Sequence, residues 1–241
     1  MCYPLVSDII SHEIMKKFIK IKIFTDRYPL IGPIMWVLSI QYFLVQIIVG
    51  ERWAIPYSIT QNTISDLGNT NCGQYSGRYI CSPLHSLMNA SFIMLGTFMA
   101  VGALFIYQEF RETKLALLGF SFMLLAGLGT LMVGLFPENT TLHLHTIGAF
   151  FPFLLGNLGI LILGIALDLP RILHTYTIIT AVVALTGLVF FLTNHYLGLG
   201  IGGMERITLY PQTLWLIFFG IYMSKNHIKK IEPLLMRKGS I

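Results

Sequence analysis

Six long apolar stretches, with lysine and arginine almost confined to one side of them, constrain this chain more than any other feature. They run over about 30–50, 87–107, 115–136, 146–167, 175–194 and 207–223. Each holds roughly 17–22 residues, the length a helix needs to cross a bilayer's hydrocarbon at about 1.5 Å per residue. Only 11% of the 241 residues are charged and 55% are hydrophobic, against roughly 25% charged in a soluble domain. Such a chain cannot solvate its own exterior in water. In lipid its backbone polar groups must be satisfied internally, which favours helices. The expected fold is all-α, a polytopic membrane bundle of six transmembrane helices. Residues 1–29 read as a cytoplasmic basic or interfacial segment, 30–224 as the transmembrane domain and 225–241 as a cytoplasmic basic tail.

Charge sets the orientation. Thirteen of the sixteen Lys and Arg residues fall before the first stretch, in the second–third and fourth–fifth loops, or in the tail. The other side holds only Arg52, Arg78 and Arg206. The positive-inside rule therefore predicts an N-in/C-in, multi-pass protein of the cell membrane. The net charge of +5 reports topology, so the expected partners are membrane lipids and no nucleic acid is expected. The first apolar stretch is too long for a signal h-region and is expected to be retained. In residues 5–24, Ile10, Ile14, Phe18 and Ile21 share a helical face behind a Ser7-Asp8 cap. This reads either as an interfacial helix on anionic lipid or as an ordinary basic flank.

No Asp, Glu, Lys or Arg stands near the middle of any stretch, which argues against a pump or a proton-coupled transporter. Gln41, Gln46, Asn89, Ser121, Thr130, Asn157 and Thr193 are the polar interruptions. They read mainly as interhelical hydrogen bonds, although Asn89, near an outer end, is also placed to line a site. A facilitative pore is disfavoured because no polar stripe continues to the cytoplasmic side.

The polar chemistry gathers on the outer side. Residues 51–86 form a turn-rich loop containing Cys72 and Cys81, which read as a disulfide or as two free thiols. Asn139-Thr140-Thr141 is a glycosylation sequon. Ser65-Asp66-Leu67-Gly68-Asn69 is a tight turn in which Asp66 ligates a metal, acts as a base or caps a helix. Pro137 ends the third stretch and sets Glu138 at the water boundary. His143 and His145 point the same way on an extended segment and diverge on a helix. Gly202-Gly203-Met204-Glu205-Arg206 opens the last stretch, its glycines suited to close backbone approach to a ligand and Glu205 with Arg206 to a headgroup. No nucleophile elbow, P-loop or dinucleotide fingerprint occurs.

Tyr57–Asn69 (YSITQNTISDLGN), Gly134–Glu138 (GLFPE) with His143 and His145, and Gly202–Arg206 (GGMER) together resemble the six-span membrane proteins grouped as domain-of-unknown-function family 998. The resemblance spans about residues 30–225 and implies the six-span architecture and the site positions, but no reaction. A fainter resemblance, in Ser65, Asp66, His143 and His145, is to membrane hydrolases of the alkaline ceramidase and adiponectin-receptor kind. Those combine Ser, Asp and three His around zinc in seven spans, with a late histidine pair that this chain lacks.

The leading expectation is a polar extracytoplasmic site for a lipid or small amphiphile, with Ser65, Asn69, Asn89, Glu205 and Arg206 as binding residues. The enzyme alternative is a zinc-dependent hydrolase acting at the outer leaflet. In it His143 and His145 hold zinc and Asp66 or Glu138 is the catalytic base. A structural or assembly subunit is the third reading.

Overall fold

The computed structural model describes residues 27–111 and 113–238; the N-terminal stretch read as interfacial or basic flank lies almost wholly outside these residues. Among the described residues the regular structure is helical apart from one hairpin. Helices α1 (Ile31–Leu38) and α2 (Gln41–Gly50) form the first apolar segment, followed by the outer loop with strands β1 (Gly73–Tyr75) and β2 (Arg78–Ile80). Then come α3 (His85–Tyr107), α4 (Lys114–Leu135), α5 (Leu142–Phe150), a π-helical segment (Phe151–Gly156), α6 (Asn157–Ala166), α7 (Arg171–Leu192) and α8 (Gly200–Lys238). Five segments are long and apolar enough to cross a membrane: Ile31–Gly50, His85–Tyr107, Lys114–Leu135, Leu142–Ala166 and Arg171–Leu192. Helix α8, 39 residues long, is not among the five; Tyr210, Pro211, Gln212 and Thr213 dilute its apolar character.

Boundaries shift where local chemistry outweighs hydropathy. The first segment is interrupted at Ser39-Ile40, where the bonds tighten to the three-residue spacing (Ser39 N to Trp36 O, Ile40 N to Val37 O). The fourth begins at Leu142 rather than 146, because Thr140 and Thr141 fold back onto the Pro137 carbonyl and launch the helix early. Pro152 cannot donate within that helix, and the π segment surrounds it. There Asn157 Nδ2 donates to Phe153 O at 2.8 Å and to Thr208 O of α8 at 3.1 Å. The other amides inside the bundle do the same work: Gln41 and Ser91 exchange bonds, and Gln46 accepts from Tyr210.

The tightest pairing is α3 against α4. At its centre Gly96 and Gly127 face each other so closely that a methyl on either would meet the other's carbonyl, the small-residue contact of membrane helices. Trp36 anchors the core, ringed by Phe120, Trp215 and Phe219 at centroid distances of 6.3, 5.4 and 5.6 Å. Its indole donates to Met99 O at 3.1 Å. Many of the exposed apolar residues lie along the helices, among them Ile47, Ile165, Ile179 and Val189, as lipid-facing side chains should.

Candidate functional site

The three loops at one end of the bundle meet in a single polar cluster. A short 3-10 turn, Ser65–Gly68, stands at its centre. Thr63 and Asp66 hold the turn reciprocally: Asp66 N donates to Thr63 Oγ1 at 3.0 Å, and Thr63 N donates to Asp66 Oδ2 at 2.9 Å. This is the capping-box exchange on a shorter helix.

Asp66 is fully buried. Arg78 grips it with two bonds, Nε to Oδ2 at 3.1 Å and Nη2 to Oδ1 at 3.0 Å, and Asn62 Nδ2 adds a third at 3.3 Å. These contacts occupy both carboxylate oxygens, so Asp66 is a capped, ion-paired anchor rather than a base open to substrate. Arg78 comes from the hairpin. Its register pairs Gly73 with Ile80 and Tyr75 with Arg78, and Ser76 and Gly77 turn at φ 46° and 77°, the left-handed pair that a two-residue hairpin needs. The next pair outward is Cys72 opposite Cys81, and their sulfurs are bonded.

Glu138 closes the cluster from the third loop, accepting from Asn69 Nδ2 at 3.1 Å. Tyr75 donates to Glu138 O, and Thr70 and Asn139 exchange two bonds. The sequon asparagine is thus engaged through its own amide. Burial, with the Asp66 carboxylate beside it, pushes the Glu138 carboxyl up to about 8. Glu138 is then mostly an uncharged acid at neutral pH, able to donate to Asp66. In the unfolded chain the same group titrates near 4.5. The stability it lends is complete below that pH and is lost as pH rises through about 8. The purified protein should therefore melt at a lower temperature at pH 9 than at pH 6, and Glu138→Gln should shrink that difference. An unchanged pH slope in the variant would place the proton elsewhere.

Glu205 and Arg206 sit in the first turns of α8, both buried. Glu205 Oε2 accepts the Ile64 N–H, and Oε1 lies 3.4 Å from Ser65 Oγ. Arg206 donates to the carbonyls of Ile59, Asn62 and Gly202 at 2.8–3.0 Å and to the hydroxyls of Tyr57 and Tyr210. Its donors bind the protein's own loop instead of a headgroup. The glycines before it serve the same closure: a methyl on Gly202 would stand 2.1 Å from Asn62 O. The expected close approach is to the chain itself.

His143 and His145 occupy the first turn of α5 and diverge. His143 is exposed and His145 is 5% exposed, facing inward. The zinc pair expected from an extended segment is not formed, since the early helix start turns the two rings apart. Among the described residues no three His, Cys, Asp or Glu side chains are grouped to hold a metal ion. His145 instead lies 3.1 Å from Ser65 Oγ through Nε2 and 2.9 Å from Phe136 O through Nδ1. Asn69 and Asn89 each keep a buried amide oxygen without a partner, while Asn89 Nδ2 donates to Gly68 O at 2.9 Å.

The cluster forms the polar end of a cavity of about 410 Å³. Ser65, Arg78, Glu138, His145 and Glu205 line that end, and Phe150, Phe153, Leu188, Phe191 and Leu192 line the rest. The apolar wall comes from α5, the π segment and α7. A second cleft of about 600 Å³ lies on another side, between α2, the start of the loop and α8. Sequence reasoning missed Arg78, Thr63, Asn62 and Tyr57. Tyr57, Asn62 and Thr63 lie in the Tyr57–Asn69 segment that carried the family resemblance, without any role being assigned to them, and Arg78 was read only as an outer-side charge.

A helical bundle with apolar spans and a buried polar cluster under its loops defines the class: an integral, multi-pass membrane protein. The family model described as Protein of unknown function (DUF998) matches residues 37–222, and the chain belongs to that family. Neither the curated proteins nor the solved structures give a match.

Proposed function

We propose that the protein is a six-span, N-in/C-in protein of the cell membrane that holds a lipid or small amphiphile at the extracytoplasmic side. In this reading α8 is the sixth span, and the thirteen basic residues on the other side orient the bundle. The carrying observation is the cavity of about 410 Å³, polar at one end and walled by aromatic and aliphatic side chains at the other. Its size falls in the range of small-molecule sites, and its two-part lining matches a polar head joined to a chain. Arg78 is already neutralised by Asp66, and Glu138 and Glu205 share the polar end, so the site favours an uncharged, hydrogen-bonding head over an anionic one. The zinc-hydrolase and structural-subunit readings draw no comparable support.

The test is retention of monoolein by the full-length protein, followed by native mass spectrometry. Thr146 is exposed and lines the cavity, so Thr146→Trp fills it without touching the core. That variant should lose roughly tenfold or more in affinity. Equal retention by wild type and variant would remove the cavity from consideration.

A further inference from the structure

His145 is fixed by an acceptor. The Phe136 carbonyl ends α4, and with Pro137 following it the next turn does not continue the helix. A carbonyl only accepts, so Nδ1 of His145 carries the proton and Nε2 turns its lone pair to the Ser65 hydroxyl at 3.1 Å. The imidazole is 5% exposed, so the protein and not bulk water holds this tautomer. Ser65 is only partly buried and lines the cavity. The alternative acceptor for its proton, Glu205 Oε1, is farther away at 3.4 Å. An accessible hydroxyl on a buried, oriented imidazole is the arrangement that activates a serine nucleophile, with a backbone carbonyl standing where other sites use a carboxylate.

We propose that Ser65 and His145 are a nucleophile and general base that hydrolyse the carboxylic ester of a neutral amphiphile held in the cavity. The proposal rests on the binding reading above. Ser65 Oγ bonds to the ester carbonyl carbon while its proton passes to His145 Nε2. The bond from that carbon to the alcohol oxygen then breaks, and the alcohol leaves with the proton. Water next attacks the acyl carbon and gives a proton to Nε2; the free acid departs as Ser65 regains its hydrogen. A small chamber of about 30 Å³ between Ser65, Glu205 and Gln212 has room for a water molecule. The apolar wall takes the acyl chain, and because none of the described residues puts an unpaired cation at the polar end, the site selects an uncharged ester over a phosphate.

The experiment treats the full-length protein in detergent with an alkyl fluorophosphonate. The serine oxygen would bond to phosphorus as fluoride leaves, and peptide mass spectrometry reads the adduct. Monoolein retention and the melting temperature are measured on the same samples. Labelling is expected on Ser65, absent in Ser65→Ala and slowed roughly 100-fold or more in His145→Gln. Wild type that retains monoolein but takes no label on Ser65 overturns the catalytic pair and leaves the binding reading standing. Wild type that neither binds nor is labelled overturns both. Labelling at an undiminished rate in a folded His145→Gln protein also overturns the pair.

Discussion

Arg78→Met should collapse the loop-covered end of the bundle, lowering stability by about 3–5 kcal/mol, the range for breaking a buried ion pair from one side. An exposed pair would be worth about 1 kcal/mol at most. Burial decides which figure applies: the Asp66 side chain is fully buried and that of Arg78 only 19% exposed. Without the guanidinium, the buried Asp66 would lose its countercharge and keep only the Thr63 and Asn62 donors and the Glu138 proton. Arg78→Lys should recover part of the loss, because it restores charge but not the two-pronged geometry. Thermal unfolding in detergent, paired with limited proteolysis of residues 51–84, checks this. A variant that melts like wild type and keeps its loop protected would show that the pair is dispensable.

Gly202→Ala is expected to detach the loop from α8. The added carbon would lie 2.1 Å from Asn62 O and 2.7 Å from Ile59 O. Both are backbone atoms, so no rotamer change relieves the clash, and overpacking of this kind costs about 1–3 kcal/mol. The displaced carbonyls are also two of the acceptors of Arg206. The substitution therefore removes partners from a buried cation as well. Protease sensitivity between Tyr57 and Asn62 should rise sharply while the core helices stay protected. Wild-type protection of that stretch would contradict the clamp.

Five of the six expected spans were legible because lipid imposes one rule, continuous apolar length, on every membrane helix. Asp66, Glu138, Ser65, Asn69, Glu205 and Arg206 were legible as a group because polar residues accumulate where loops meet water. Their partners were not. Arg78 lies 12 residues from Asp66, and Glu205 lies 141 from Ile64; no local pattern encodes such contacts. The histidine pair misled for a local reason. An extended reading of Leu142–His145 makes the two rings allies, whereas the turn on Pro137 starts α5 early and separates them. The carboxylates misled for a related reason, since a buried Asp engaged by four donors has the same sequence signature as a catalytic one.

The hairpin gives the site a history as well as a shape. Arg78 reaches Asp66 from a two-strand ribbon closed by Cys72–Cys81. A cross-link spanning so short a loop limits the unfolded chain's freedom by about 2–3 kcal/mol. The polar end is thus completed by chemistry that requires an oxidising environment, and apolar length alone drives the spans into the bilayer. A chain kept reduced would lack the cross-link behind the hairpin that carries Arg78 to Asp66.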